Sequence, residues 1–297
     1  MMFSYTGLLL QSLLLFQPAV THAHEDFAAR NLRTIQAIYN LTLGSELTQH
    51  TKVYPRNAPI IAQGGSAVPP GLFAPEATGR ITPLGNFTGF EDSIEYFFGL
   101  APMPQTNAAS LGLYEAEVVS FTSGCPEVAA SVVYLKGGAV NNVTGGLLPG
   151  SPTTTLKQGL VQQYDAWIPN LQLWTRVANG IDYENRTVQQ GTVAQALCPT
   201  IQRQCTGKDQ VYQSVDDCIG QLLAKPFGTF DEVWADNVVC RVIHVLLTAI
   251  RPDVHCAHVG PTGGGKCVDI DYRLDYFDDD RLFGLPEPFI CPQVAGY

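Results

Sequence analysis

The sequence predicts an α+β fold: helices packed on an antiparallel sheet, followed by an α-helical module stapled by disulfides. Three observations carry that expectation. Apolar residues recur with helical spacing near the amino terminus, alternate from about Tyr114, and return to helical spacing beyond about residue 180. Seven of the eight cysteines fall from Cys198 onward, where bridges would staple a smaller core. The 297 residues are 45% hydrophobic and 15% charged, enough apolar material for a core and too little charge for a disordered chain.

The elements follow in order. An apolar run from Leu8 to Phe16, then Pro18 and the small-residue pattern Thr21-His22-Ala23, predicts a secretory signal peptide over residues 1–23. The run is too short for a transmembrane helix. Eight cysteines, Cys125, Cys198, Cys205, Cys218, Cys240, Cys256, Cys267 and Cys291, form an even set that would pair in an oxidising compartment. Sequons at Asn40, Asn86, Asn142 and Asn185 add a surface-glycosylation expectation. Together they predict a secreted, extracellular glycoprotein.

Residues 24–180 form the first expected domain and 181–297 the second. The first opens on a helix with Ala28, Leu32, Ile35 and Ile38 or Tyr39 on one face. A Pro- and Gly-rich loop, "IAQGGSAVPPGLFAPEATG", precedes a short helix in "EDSIEYFFGL", where Ile94, Phe97 and Phe98 share a face. "EAEVVSFT", "VAASVVYLKG", "TLKQGLVQQYDAWI" and "LQLWTRV" read as strands of an antiparallel meander. In the second part "GTVAQALC", "DQVYQSVDDCIGQLL" and "DEVWADNVVCRVIHVLLTAI" have helical spacing. Thr229 and Glu232 fit a capping box for the last, and Pro252 stops it. A loop and a solvated acidic tail, "VDIDYRLDYFDDDRLF", are expected beyond.

The segment "LFAPEATGRITPLGNFTGFEDSIEYFFGL" and the strands ending in "QQYDAWIPNLQLW" resemble a SnoaL-like domain, the nuclear-transport-factor-2-like cone fold. The likeness covers roughly Asp26 to Val177 and includes a G-x-x-x-G-x-E-x-x-x-x-Y pattern from Gly85 to Tyr96. It implies helices on a curved, cone-like sheet with a conical pocket, catalytic in some members and only binding in others. It also leaves a homodimer through the sheet open. The cysteine-rich part resembles uncharacterised secreted fungal proteins and implies no activity.

Four features bear on chemistry. Gly260, Gly265 and Lys266 in "HVGPTGGGKC" match P-loop spacing, yet Pro252 interrupts the preceding stretch and Cys267 stands where a magnesium-binding Ser or Thr is needed. A tight glycine turn that brings Cys256 and Cys267 to their partners is the better reading. His244, His255 and His258 fall within fifteen residues, a set that zinc or copper could use. The same histidines could instead hydrogen-bond turns around disulfides. Cleavage after Ala23 would leave His24 as an amino-terminal copper chelator, although "HEDFAARNLRTIQ" reads as a helix.

The expected pocket supplies the fourth. In catalytic members of the resembled fold a pocket carboxylate or histidine acts as general base. No histidine lies between His50 and His244, so Asp165 is the candidate catalytic base. Glu115 and Glu117 on a strand and Glu91, Asp92 and Glu95 on the second helix are further carboxylates. Tyr96, Tyr134, Tyr164, Trp167 and Trp174 are the candidate pocket aromatics, weighed against core roles. The net charge of −10, without basic runs, disfavours nucleic acid and anionic membranes. The reading is a protein that binds a small apolar molecule and expects no cofactor. An isomerase, cyclase or dehydratase using Asp165, and an extracellular metal binder using the three histidines, are its competitors.

Overall fold

The helix expected near the amino terminus is α1 (Phe27–Leu41), started by the Asp26 carboxylate, which accepts from the Ala28 and Ala29 amides. Ile35 and Ile38 are buried on its inner face. The computed structural model describes residues 26–43, 57–101, 111–139, 147–150, 153–157, 160–284 and 289–291. The expected leader, His24 and the Asn142 sequon lie outside them. Among the described residues no helix is long and apolar enough to cross a membrane.

The Pro- and Gly-rich stretch is not a loop throughout. It holds α2 (Ala58–Gln63), with Pro59 in its first turn, and then β1 (Phe73–Thr82). Its glycines mark close approaches instead. A Cβ on Gly79 would lie 2.3 Å from the Tyr164 ring, so only glycine lets β1 pass that residue. After β2 (Gly85–Thr88), α3 (Phe90–Ile94) widens into a π-helical turn, Glu95–Gly99. β3 (Leu111–Cys125), β4 (Val128–Ala139), β5 (Leu147–Gly150), β6 (Thr153–Lys157) and β7 (Leu160–Trp167) complete a seven-stranded sheet. Its order is β2-β1-β7-β6-β4-β3, with β5 also on β4.

The sheet departs from the expected meander at one seam, where β1 and β7 pair in parallel. That seam joins the first strand to the last and closes the order around a nonlocal contact. Register shifts interrupt β3 at three places against β4, and such bulges bend a strand. Phe73, Phe97, Phe98 and Tyr164 are buried against one face, where they meet α1, α3 and the π turn.

"LQLWTRV" is a helix, α4 (Leu171–Asn179), and not a strand. Leu171, Trp174 and Thr175 turn inward at i, i+3 and i+4, leaving Leu173 and Val177 exposed. Over seven residues the two periods fit almost equally, and the turn through Asn170, at φ 53°, decides for the helix.

Beyond it, α5 (Arg186–Gly191) runs through a π-helical middle, Thr192–Leu197, into α6 (Cys198–Gln204). α7 (Val215–Leu223) and α8 (Val238–Leu247) follow. The expected capping box does not start α8: Thr229 and Glu232 share only a backbone turn, while the Asn237 side chain accepts from the Cys240 amide at 2.8 Å. The expected loop after Pro252 is α9 (Pro252–Val259), with proline at its first turn. The acidic tail also folds, as α10 (Asp279–Phe283). Tyr276 is buried, and Asp279 meets Arg80 at 2.7 Å.

Four disulfides pair all eight cysteines: Cys125–Cys291, Cys198–Cys218, Cys205–Cys256 and Cys240–Cys267. Gly263, Gly264 and Gly265 all hold positive φ in the turn that delivers Cys267. A Cβ on Gly264 would lie 2.5 Å from the Ala257 backbone, which explains the glycine run without a phosphate. Two apolar clusters result, and Phe227 and Val242 pack against both. The sheet cluster itself draws Phe230, Val233 and Val239 from beyond residue 180.

Candidate functional site

Where the helical third meets the sheet half, the two leave a cavity of about 840 Å³ between them. The sheet half contributes Tyr39, Leu84, Tyr96, Phe97, Leu113, Leu135 and the inner side of α4. The opposite wall is Thr192 to Gln204 and the face of α8 that carries Val242, Ile243 and Leu246. The cavity is therefore shared, and does not belong to the expected cone alone. Its lining is mostly apolar and aromatic, interrupted by Thr42, Thr175 and Thr192, and Thr200, Arg203 and Gln204 gather near α6. Among the described residues Arg203 has no carboxylate partner, and its guanidinium donates to Thr200 Oγ1 at 3.1 Å.

Tyr96 and Trp174 line this cavity, and the Trp174 indole N–H is enclosed without a hydrogen-bond partner among the described residues. Burial pushes the Tyr39 and Tyr96 phenols well above their ordinary range, so both stay protonated. The other three expected aromatics are elsewhere. Tyr164 is fully buried and donates to Ser93 Oγ at 3.0 Å. Trp167 is 58% exposed. Tyr134, next to the cavity-lining Leu135 on β4, falls on the opposite face by strand alternation.

Asp165 does not line the cavity. Its two oxygens take Arg80 Nε at 3.2 Å and a terminal guanidinium nitrogen at 2.5 Å. The other terminal nitrogen of Arg80 donates to Asp279 at 2.7 Å and to the Tyr276 carbonyl at 3.3 Å. Asp165 thus anchors the folded tail to the sheet. A carboxylate locked on both oxygens by an arginine is poorly placed to take a substrate proton. Glu115 and Glu117 are likewise occupied, by Lys136. Asp, Glu and His are absent from the described cavity lining.

The three expected histidines do come together. His244 on α8 and His255 and His258 on α9 place one ring nitrogen each within 4.8 Å of the others. The His255 and His258 Nδ1 atoms are 3.2 Å apart. His255 Nε2 lies 2.9 Å from the Glu95 carboxylate, which Arg251 also grips through Nε and, at 2.5 Å, a terminal nitrogen. Arg251 reaches Asp92 at 2.6 Å as well. Burial would raise the Glu95 pKa, but the bonds from His255 and Arg251 outweigh it and hold the carboxyl below its usual range. Burial, then the neighbouring His255 and Lys266, pushes His258 down to about 4. Burial and the other two histidines hold His244 well below its ordinary value.

Glu95 and Arg251 also border a smaller cleft of about 420 Å³ beside α2. None of the three histidines lines either space. Sequence reasoning missed the Glu95–Arg251–His255 chain, because 160 residues separate Glu95 from His255. Its one local signal is Pro252. Read as the first residue of a helix, it puts His255 and His258 at i and i+3 on one face. Of the three sequons in the described residues, Asn40 and Asn185 are exposed, while Asn86 is half-buried with its Oδ1 enclosed.

Comparison with known proteins adds context to this geometry. A model of the BfoA family C-terminal domain matches residues 160–270. Aurasperone B biosynthesis cluster protein A of Aspergillus niger is 30% identical over 235 residues, 72% of this chain and 75% of that protein. Bifonsecin B biosynthesis cluster protein A of Aspergillus brasiliensis is 29% identical over 234 residues, 72% of this chain and 77% of its own length. A solved SnoaL-like protein of Jannaschia sp. CCS1 aligns over 53% of this chain and 96% of its own, at 14% identity and a TM-score of 0.32.

Proposed function

This chain belongs to the BfoA family, and from that premise we propose that it is a secreted glycoprotein that binds a flat aromatic small molecule. The relatives' names place them in clusters for the biosynthesis of bifonsecin B and aurasperone B. We assign this chain the same kind of setting, as carrier of a product or intermediate. Its sheet half serves as a SnoaL-like cone whose open side the helical third completes.

The single observation that carries the reading is the shared cavity. At about 840 Å³ it falls in the range of drug-sized ligand sites, roughly 300–1,000 Å³. Tyr39, Tyr96, Phe97, Trp174 and Phe230 offer ring faces and edges to a planar guest. Arg203, Gln204 and Thr200 at one end favour an oxygen-bearing edge, such as a phenolate or carbonyl. The lack of a described acid or histidine in the lining favours binding over general-base catalysis. Four disulfides fit an oxidising compartment and support the secreted assignment.

The test uses 1-anilinonaphthalene-8-sulfonate, an aromatic anion, as probe of the full secreted chain. One molecule should bind per chain by calorimetry, with near-ultraviolet circular dichroism confirming a packed native state. Ala196→Trp, which projects into the cavity from the helical wall, should abolish binding and leave the far-ultraviolet dichroism and the cooperative thermal unfolding unchanged. Arg203→Gln should weaken the anionic probe while sparing its uncharged parent, N-phenyl-1-naphthylamine. Absent binding in the wild type, or undiminished binding in Ala196→Trp, overturns the proposal.

A further inference from the structure

We propose that His244, His255 and His258 bind one divalent transition-metal ion of the zinc or copper class, which cross-links α8 to α9. Metal–nitrogen bonds of about 2.0–2.1 Å place two ligands of a tetrahedral ion about 3.3 Å apart. The His255 and His258 Nδ1 atoms already stand at 3.2 Å, and His244 has a ring nitrogen within 4.8 Å of both. Loading requires the His244 nitrogen to move closer to that pair.

Proton placement points the same way. The Glu95 carboxylate is clamped by Arg251 and can only accept, so His255 must carry its proton on Nε2. In the neutral ring that leaves the Nδ1 lone pair facing His258. A carboxylate behind a ligating histidine is the usual outer partner of a metal-bound imidazole, fixing both tautomer and ring orientation. His244 is the second sign. Its Nδ1 is shut from solvent and has no hydrogen-bond partner among the described residues, an orphaned atom that a metal bond would satisfy.

A purely hydrogen-bonded trio would satisfy only the His255–His258 contact. The surrounding charge is balanced before a dication enters: Arg241, Arg251 and Lys266 act on the cluster, Asp236 pairs with Arg241, and Asp92 and Glu95 offset the other two. Cys240 and Cys267 also lie within reach of His244, but their disulfide leaves no thiolate to ligate. Because none of the histidines borders the cavity or the cleft, the assigned role is structural. The ion would tie the two helices together and, through Glu95, hold them to the π turn of the sheet half.

The experiment titrates zinc chloride, and separately copper(II) sulfate, into chelator-stripped full-length secreted protein. Bound metal is counted by elemental analysis after desalting, and thermal unfolding is followed in parallel. One ion per chain and a higher Tm on loading are expected. His255→Gln/His258→Gln should lose stoichiometric binding, and His244→Gln alone should lose the Tm increase. Glu95→Gln keeps every ligand but loses the outer carboxylate, and should weaken zinc about 10–100-fold. Should the double variant fail to fold, the single His244→Gln and Glu95→Gln titrations decide. The assignment fails if stripped wild type takes up neither metal, or if uptake is undiminished in these variants, which would place the ion at another site. Failure here leaves aromatic-probe binding in the cavity untouched, and the reverse also holds.

Discussion

The sheet half and the helical third solve the same stability problem by different means. The seven-stranded sheet buries Phe73, Ile81, Ile94, Phe98, Val161 and Tyr164 in one cluster, and a single disulfide, Cys125–Cys291, reaches it. Apart from one continuous helical run over residues 186–204, the α-helices of the helical third are five to ten residues long, too short to persist alone in water. Its cluster of Val193, Leu197, Ile201, Tyr212, Leu222 and Val259 is threaded by four half-cystines, Cys198, Cys205, Cys218 and Cys256. Burial organises one region, three internal disulfides brace the other, and apolar packing through Phe230, Val233 and Val239 joins them. The cavity lies between them and depends on both.

The sharpest way to break that comparison is to remove sulfur from the helical side. Cys205–Cys256 joins α6 to α9 and spans 51 residues, a loop whose closure is worth about 4 kcal/mol in chain entropy. Cys205→Ser/Cys256→Ser should lower stability by that order in denaturant titration. Hydrogen exchange should accelerate in α6 and α9 while the sheet stays protected. The aromatic probe should be lost with it, since α6 walls the cavity. Uniform acceleration across the chain would mean that the two regions unfold as one unit.

The complementary change is made in the sheet. Ile81 is fully buried on β1, one residue from Arg80, in the strand that pairs with β7. Ile81→Ala should cost about 3 kcal/mol, by lost burial plus the void left behind. Exchange should then rise through β1, β7 and β6 together. A loss confined to β1 would show that the parallel seam carries less of the sheet than its central position implies.

How legible these regions were differs for the same reason. Strand alternation in β3, β4 and β7 shows in the sequence because one face is buried and its neighbours are not. The sequence also brought out the three histidines, since their proximity in the chain survives folding. Alternation misled at "LQLWTRV", where seven residues fit two periods until the turn at Asn170 is known. Asp165 looked like a base because nothing local announces Arg80, 85 residues away, as its partner. The helical wall of the cavity was invisible for the same cause: Leu84 and Val242 line one cavity only after both regions have folded. Acidic composition hid the tail's packing, because Tyr276 and Asp279 dock on groups nearly two hundred residues earlier.

A smaller effect separates the regions in acid. Asp236 sits just before α8, and accepts from Lys225 at 2.8 Å and from the fully buried Arg241 at 2.8 Å. Burial alone would raise its pKa, but those two cations outweigh burial and hold it below the usual carboxylate range. The native state therefore takes up this proton less readily than the unfolded chain. Its contribution is fully present above the ordinary Asp value of about 3.9, and is lost as pH falls through the lower native value. Asp236→Asn should flatten the acid side of the stability curve and lower stability at pH 7. Arg241, which also donates to the Asn237, Gly260 and Pro261 carbonyls, would then keep an unneutralised buried charge. The acid loss should show first in exchange at α8, ahead of β1. If β1 and α8 soften at the same pH, the ion pair is not what sets the helical region's acid limit.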